Sequence, residues 1–153
     1  TAKRMVETNT FLSINLLTVQ VIANGKSLGY TDASITKAKE VLERGSQAYE
    51  IALRMGVKVA FATDLSRAPE RMSEEFLLRA QFSTPRQIIH SATVVGAEVV
   101  RMPGELGVVK AGAIADLLVI DGNPLEDLKL LTEQGKFMPL IMKEGRVYKN
   151  TLA

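Results

Sequence analysis

The sequence predicts an α/β protein. Parallel strands joined by crossover helices are expected over residues 1–102, followed by a mostly β segment over residues 103–153. Three observations carry this expectation. Residues 34–55 repeat apolar side chains near a 3.6-residue period, through Ile35, Ala38, Val41, Leu42, Ala48, Ile51, Ala52 and Met55, with Lys and Glu between them. The run "VKVAFA", residues 57–62, is short and apolar apart from Lys58, as strands of parallel sheets are when both faces are covered. Beyond Pro103-Gly104 the texture changes to short apolar runs punctuated by glycine.

In chain order, residues 2–8 read as the last turns of a helix. "TFLSINLL", residues 10–17, is apolar and β-branched and reads as a strand. Residues 24–30, "NGKSLGY", form a loop by their Gly and Asn content. The long helix, 34–55, is interrupted by Gly45 at a cost of about 1 kcal/mol against Ala, and Gly56 ends it as a C-cap. After the strand at 57–62, a short helix is expected over 73–81. Ser73 would be its N-cap, with Glu74 and Glu75 in its first turn. Thr84-Pro85 opens the next helix with a cap and a first-position proline. It runs through Ile88, Ile89, Ala92, Val95 and Val99 to about Arg101, where Pro103-Gly104 breaks it. Residues 105–121 read as short strands joined by glycine turns. "NPLEDLKLLTEQ" reads as one capped helix, and "FMPLIMKEGRVYK", residues 137–149, as a hairpin turning at Glu144-Gly145.

Composition narrows the function. The 153 residues suit one ordinary domain, with 46% hydrophobic and 24% charged residues. A net charge of +2 without a run of Lys or Arg argues against nucleic acid as a partner. No window reaches the roughly 18 apolar residues of a membrane span, so no membrane partner is expected. The absence of cysteine excludes disulfides and thiolate metal sites and fits the cytoplasm. A single histidine, His90, means that a site needing several imidazoles cannot be completed from these residues.

One residue stands out as a candidate for chemistry. Asp64 follows the apolar run 57–62, and functional groups of α/β barrels gather where strands end. A carboxylate there either caps the next element or faces a cation, since an unpaired buried charge is costly. Thr63 reads as a structural β-branched residue. Arg67 and Arg71, in the loop after Asp64, are cationic groups that a substrate carboxylate would meet, or plain solvated charges. Asp116 and Asp121 read as turn and cap residues, and the six methionines as core filler. His90 lies mid-helix and reads as a helix residue rather than a metal ligand.

Three motifs in order resemble the amidohydrolase superfamily, in particular its imidazolonepropionase-like and prolidase-like members. "GVKVAFATD" resembles the eighth barrel strand with its terminal Asp, and "TPRQIIHSATVVGAEVV" is similar to the helix that follows. "GELGVVKAGAIADLLVIDGNPLEDL" with "IMKEGRVYK" resembles the return of the chain into a small β-sandwich. The resemblance covers most of the chain and is strongest over residues 56–149. It implies the C-terminal part of a (β/α)8 barrel, about its last two strands, followed by part of a small β-sandwich; the start at Thr1 rather than Met agrees with such a piece. It also implies a divalent metal, zinc in one or two ions, held by a His-x-His pair, a mid-barrel carboxylated Lys or Glu, two later His, and the terminal Asp. Only that last position matches here, and it is Asp64. Two departures bear on substrate specificity: Ala62 stands where the family commonly has Gly, and "LSRAPERM" replaces a Gly-containing loop.

The function so implied is hydrolysis of a C–N bond in a small amide, a cyclic amide or a dipeptide-like substrate. Asp64 would be both metal ligand and proton carrier. Taken alone, the chain is expected to be inactive and loosely packed or oligomeric, with Val57, Val59 and Phe61 facing the barrel interior and seeking cover. The partners expected are the remaining N-terminal part of the barrel or further copies of the chain. The alternative is a non-catalytic truncated chain, or a subunit that completes a barrel by association.

Overall fold

The computed structural model describes residues 1–66 and 68–152. Two sheets organise it. β1 (Leu12–Ile14) and β2 (Val59–Phe61) pair in parallel, with Leu12 opposite Val59 and Ile14 opposite Phe61. The crossover between them is made by α2 (Leu16–Ala23) and the long α3 (Asp32–Arg54), while α1 (Ala2–Glu7) precedes β1. The second sheet is antiparallel, in the order β3 (Leu117–Val119), β4 (Leu140–Lys143), β5 (Arg146–Asn150).

The helix read from the 3.6-residue period is α3. Thr31 caps it by accepting from the Ser34 N–H at 3.1 Å. The helix continues unbroken through Gly45, and Gly56 follows it at φ +78°, a conformation that favours glycine. The Thr84-Pro85 start is also present. Thr84 and Gln87 form a reciprocal capping box at the head of α5 (Pro85–His90). α5 passes through a π-helical segment, Ser91–Val95, into α6 (Gly96–Val99).

Several expectations fail for local reasons. The apolar stretch 10–17 is not one strand. It pairs only at Leu12–Ile14, and beyond Asn15 the same apolar residues become helix α2, whose Leu16, Leu17 and Val21 pack into the core. A short apolar run does not distinguish strand from buried helix. Ser73 is not an N-cap. Pro69 opens a 3₁₀ turn, Pro69–Glu74, that leads directly into α4 (Glu75–Arg79). Residues 123–134 do not form a single helix either. Asp127 is extended and accepts from the Lys129 N–H at 2.9 Å, which starts a separate 3₁₀ turn, Leu128–Leu131, and Glu133 and Gln134 both have positive φ. Among the described residues, the stretch 105–121 contributes one strand, β3, the rest being turns.

The hairpin turns at Glu144 (φ +51°) and Gly145 (φ +76°), with Lys143 opposite Arg146, the two-residue geometry that matches strand twist. Asp116 secures it by accepting from the Glu144 N–H at 2.7 Å. Over residues 103–153, the described residues hold this one three-stranded sheet.

Two apolar cores result. The larger gathers Leu16, Leu17, Val21, Tyr49, Ala52, Val57, Val59, Leu65 and Leu78 between the parallel strands and the helices. The smaller, around Ile88, Leu128 and Leu131, takes in Phe61, Phe76 and Ile120 and so joins the two parts of the chain. Val57 and Val59 therefore face helices rather than a barrel interior, and Phe61 stacks on Phe76 at 4.4 Å.

Candidate functional site

Asp64 lies three residues beyond the end of β2, and its side chain is exposed. Its backbone is left-handed, at φ +48°, where Asp and Asn are the non-glycine residues best tolerated. The turn is tied to the neighbouring strand's helix. The Thr18 hydroxyl, in the first turn of α2, donates to the Thr63 carbonyl and to the Asp64 carbonyl, the latter at 2.7 Å. Asn15 stands at the same carboxyl end of the pair, directly after β1. Its Oδ1 is buried and has no hydrogen-bond partner among the described residues.

Behind these strand ends sits a buried ion pair. Glu75 and Arg79 are one helical turn apart in α4, and both are fully buried. Arg79 Nε donates to Glu75 Oε1 at 2.7 Å, and Nη2 donates to the Ile14 carbonyl at 2.8 Å and the Ala60 carbonyl at 3.2 Å. Nη1 donates to Ser91 Oγ at 3.3 Å, and Ser91 in turn donates to the Val59 carbonyl at 2.6 Å. Glu75 Oε2 accepts from the Leu17 N–H at 2.7 Å, at the start of α2. The guanidinium also stacks over Phe61 and Tyr49, at 4.6 and 5.4 Å from the ring centres. Burial pushes the Glu75 carboxyl above its usual range, although Arg79 and the backbone amides of Leu17 and Leu16 pull the other way.

This hub was missed in the sequence, where Glu75 reads as a helix-start residue. A signal was present. Glu and Arg at i and i+4 flank the apolar residues Phe76, Leu77 and Leu78, a spacing that brings both charges onto one helix face.

The other candidates separate from Asp64. His90 is exposed at the end of α5 and lines a cleft of about 370 Å³ with Arg86, Gln87, Lys58 and Tyr49. That cleft opens beside Gly56 and Val57, at the amino end of β2, whereas Asp64 lies at the carboxyl end. Arg71 donates to Glu74 at 2.9 and 2.7 Å, and this partner holds the Glu74 carboxyl below its usual range. Arg67 lies outside the described residues. Asp116 serves the hairpin turn, and Asp121 leads from β3 through a backbone bond to Phe137.

A divalent metal asks for hard, anionic oxygen or imidazole donors. The Asp64 carboxylate suits one such position. Among the described residues, no group of three or more His, Cys, Asp or Glu side chains could hold an ion.

The amidohydrolase family model matches residues 1–147. This chain belongs to the amidohydrolase family. Among amidohydrolase relatives, the ochratoxinase of Aspergillus niger is 27% identical over 137 residues, which is 88% of this chain and 28% of that protein. A solved amidohydrolase structure superposes with a TM-score of 0.92 at 39% identity, over 99% of this chain and 37% of its own. A prolidase complexed with N-methylphosphonate-L-proline superposes at 0.91 with 37% identity, over 98% of this chain and 37% of its own. The chain thus spans little more than a third of the amidohydrolase structures it matches. These likenesses support hydrolysis of amide or peptide bonds as the family chemistry. Among the described residues, no helix is long and apolar enough to cross a membrane.

Proposed function

We propose that this chain is the C-terminal portion of a metal-dependent amidohydrolase that cleaves a C–N bond in a small amide, cyclic amide or dipeptide-like substrate. In this reading β1 and β2 are the last two strands of a (β/α)8 barrel, within a barrel part spanning residues 1–102. Residues 103–153 belong to a composite β-sandwich. The observation that carries the proposal is the placement of Asp64 at the carboxyl end of β2, the end where barrel enzymes collect functional groups.

When bound, a divalent ion, one or two zinc ions by family resemblance, would lower the pKa of a water to about 7 and polarise the scissile carbonyl. Asp64 would help to hold the ion through its carboxylate, and would carry a proton from the attacking water to the leaving nitrogen, general base first and general acid second. An exposed carboxylate without a partner among the described residues is available for both tasks. A dipeptide-like substrate is favoured by the prolidase neighbour. The remaining ligands come from outside these 153 residues, so the chain by itself is inactive.

The test is Asp64→Asn in the full-length polypeptide, assayed against a panel of N-acyl amino acids and dipeptides. Turnover should fall at least about 10²-fold, the low end for an acid–base group. Wild-type turnover with normal metal content would remove Asp64 from the mechanism.

A further inference from the structure

The turn that carries Asp64 is held by one side chain from another element. Thr18 has a single hydroxyl hydrogen, and two carbonyls, those of Thr63 and Asp64, lie within its reach in a three-centre arrangement. Among the described residues, no other donor bonds to either carbonyl. The backbone at Asp64 is left-handed, a conformation that Asp tolerates but at some cost, so contacts that favour it matter. Thr18 is well placed to enforce it. The preceding residue, Leu17, is fully buried and donates its N–H to Glu75, so the first turn of α2 is fixed at both its side chains and its backbone.

We propose that Thr18 is a positioning residue for Asp64: its hydroxyl clamps the Thr63-Asp64 backbone and thereby sets the direction of the Asp64 carboxylate toward the metal. This rests on the reading of Asp64 as a metal ligand. The clamp links the end of β2 to the helix that follows β1, so the two neighbouring strand ends of the site keep one geometry. A hydroxyl suits this work better than a charged group. It satisfies two carbonyls without adding a cation that would compete with the metal for the carboxylate.

The experiment compares Thr18→Val, Thr18→Ser and Asp64→Asn with wild type in the full-length polypeptide. Three quantities are read: amide hydrogen exchange across residues 62–66 in the metal-free protein, the rate of zinc loss to EDTA, and kcat and KM on a dipeptide panel. One net hydrogen bond corresponds to about a tenfold change. Thr18→Val should therefore speed exchange of the turn and zinc loss by about tenfold each and lower kcat by about tenfold, with KM within about twofold. Thr18→Ser, which keeps the hydroxyl, should restore all three. Exchange within α3 should stay at wild-type rates, which separates a loosened turn from a loosened fold. If Thr18→Val also frees α3, Thr18→Ala replaces it in the same comparison. Wild-type exchange and zinc retention in the folded Val or Ala variant would overturn the clamp. A wild-type Asp64→Asn enzyme beside a loosened Thr18→Val turn would instead overturn the metal role of Asp64, and the positioning role with it.

Discussion

Asp64 lies beyond the carboxyl end of β2, and His90 lines a cleft at its amino end. A side chain at the amino end of a strand cannot share an ion with one at the carboxyl end. Under the proposed function, substituting His90→Gln should therefore leave metal content unchanged by elemental analysis and turnover within a few-fold. Loss of a metal ion would show that the helix had been misplaced. The position of Asp64 was legible because an apolar run that ends on an acid is visible without structure. What holds Asp64 was not legible: Thr18 is 46 residues away in sequence, and nothing in "NLLTVQ" announces a contact with the turn after β2. The buried Oδ1 of Asn15 was equally hidden, because the run around it read as a continuous strand.

At the scale of elements, the Glu75–Arg79 pair decides more than any single apolar contact. Arg79→Met would leave a buried carboxyl without its counter-charge and remove the guanidinium donor from the Ile14 and Ala60 carbonyls, and should cost at least about 3 kcal/mol in urea unfolding. Adding Glu75→Gln to it should recover part of that loss; a double variant no more stable than the single one would count against the pairing. The pH dependence has a definite sign. The folded-state pKa of Glu75 is raised above its usual 4.5, so the folded chain binds that proton more readily than the unfolded chain. The contribution is complete below about 4.5 and is lost as pH rises through the raised value. Wild type should lose stability relative to Glu75→Gln over that window, measured by unfolding at stepped pH. Wild type gaining stability relative to Glu75→Gln as pH rises would contradict the direction. A second element test concerns Gly107, at φ +71°, where an added Cβ would lie 2.4 Å from the Thr93 carbonyl in the π segment. Gly107→Ala should destabilise by about 2 kcal/mol or more, since the clash is with backbone that cannot swing aside. The helices with full start and stop signals, α3 and α5, were readable in the sequence. Those without them, α2 and the turns over 123–135, were not, because tertiary burial and side-chain capping decided them.

For the whole molecule, the α/β order and the change of texture near residue 103 were legible, while the facing of the strands was not. Val57 and Val59 turn to the helices because α3 and α2 supply apolar cover on that side. Exposed apolar residues include Val100, Val109, Leu118 and Tyr148, the last three in the segment around the antiparallel sheet. With the parallel pair also open-edged, the 153-residue chain alone should associate or broaden in size-exclusion chromatography with light scattering, and bind zinc weakly. A monodisperse monomer with micromolar or tighter zinc affinity would overturn that expectation and favour a self-sufficient metalloprotein.

The guanidinium of Arg79 also acts as a check on strand register. Sliding β1 past β2 by two residues would keep every side chain on its proper face, so apolar burial alone discriminates weakly against it. Such a slip would, however, carry the Ile14 carbonyl roughly 7 Å along the strand, far from the Nη2 that also holds Ala60. A misaligned sheet would then break the bond from Arg79 to Ile14 and leave the buried guanidinium with Glu75 but with one donor out of place. The pair that looks costly in the correct fold makes the near-miss costlier still.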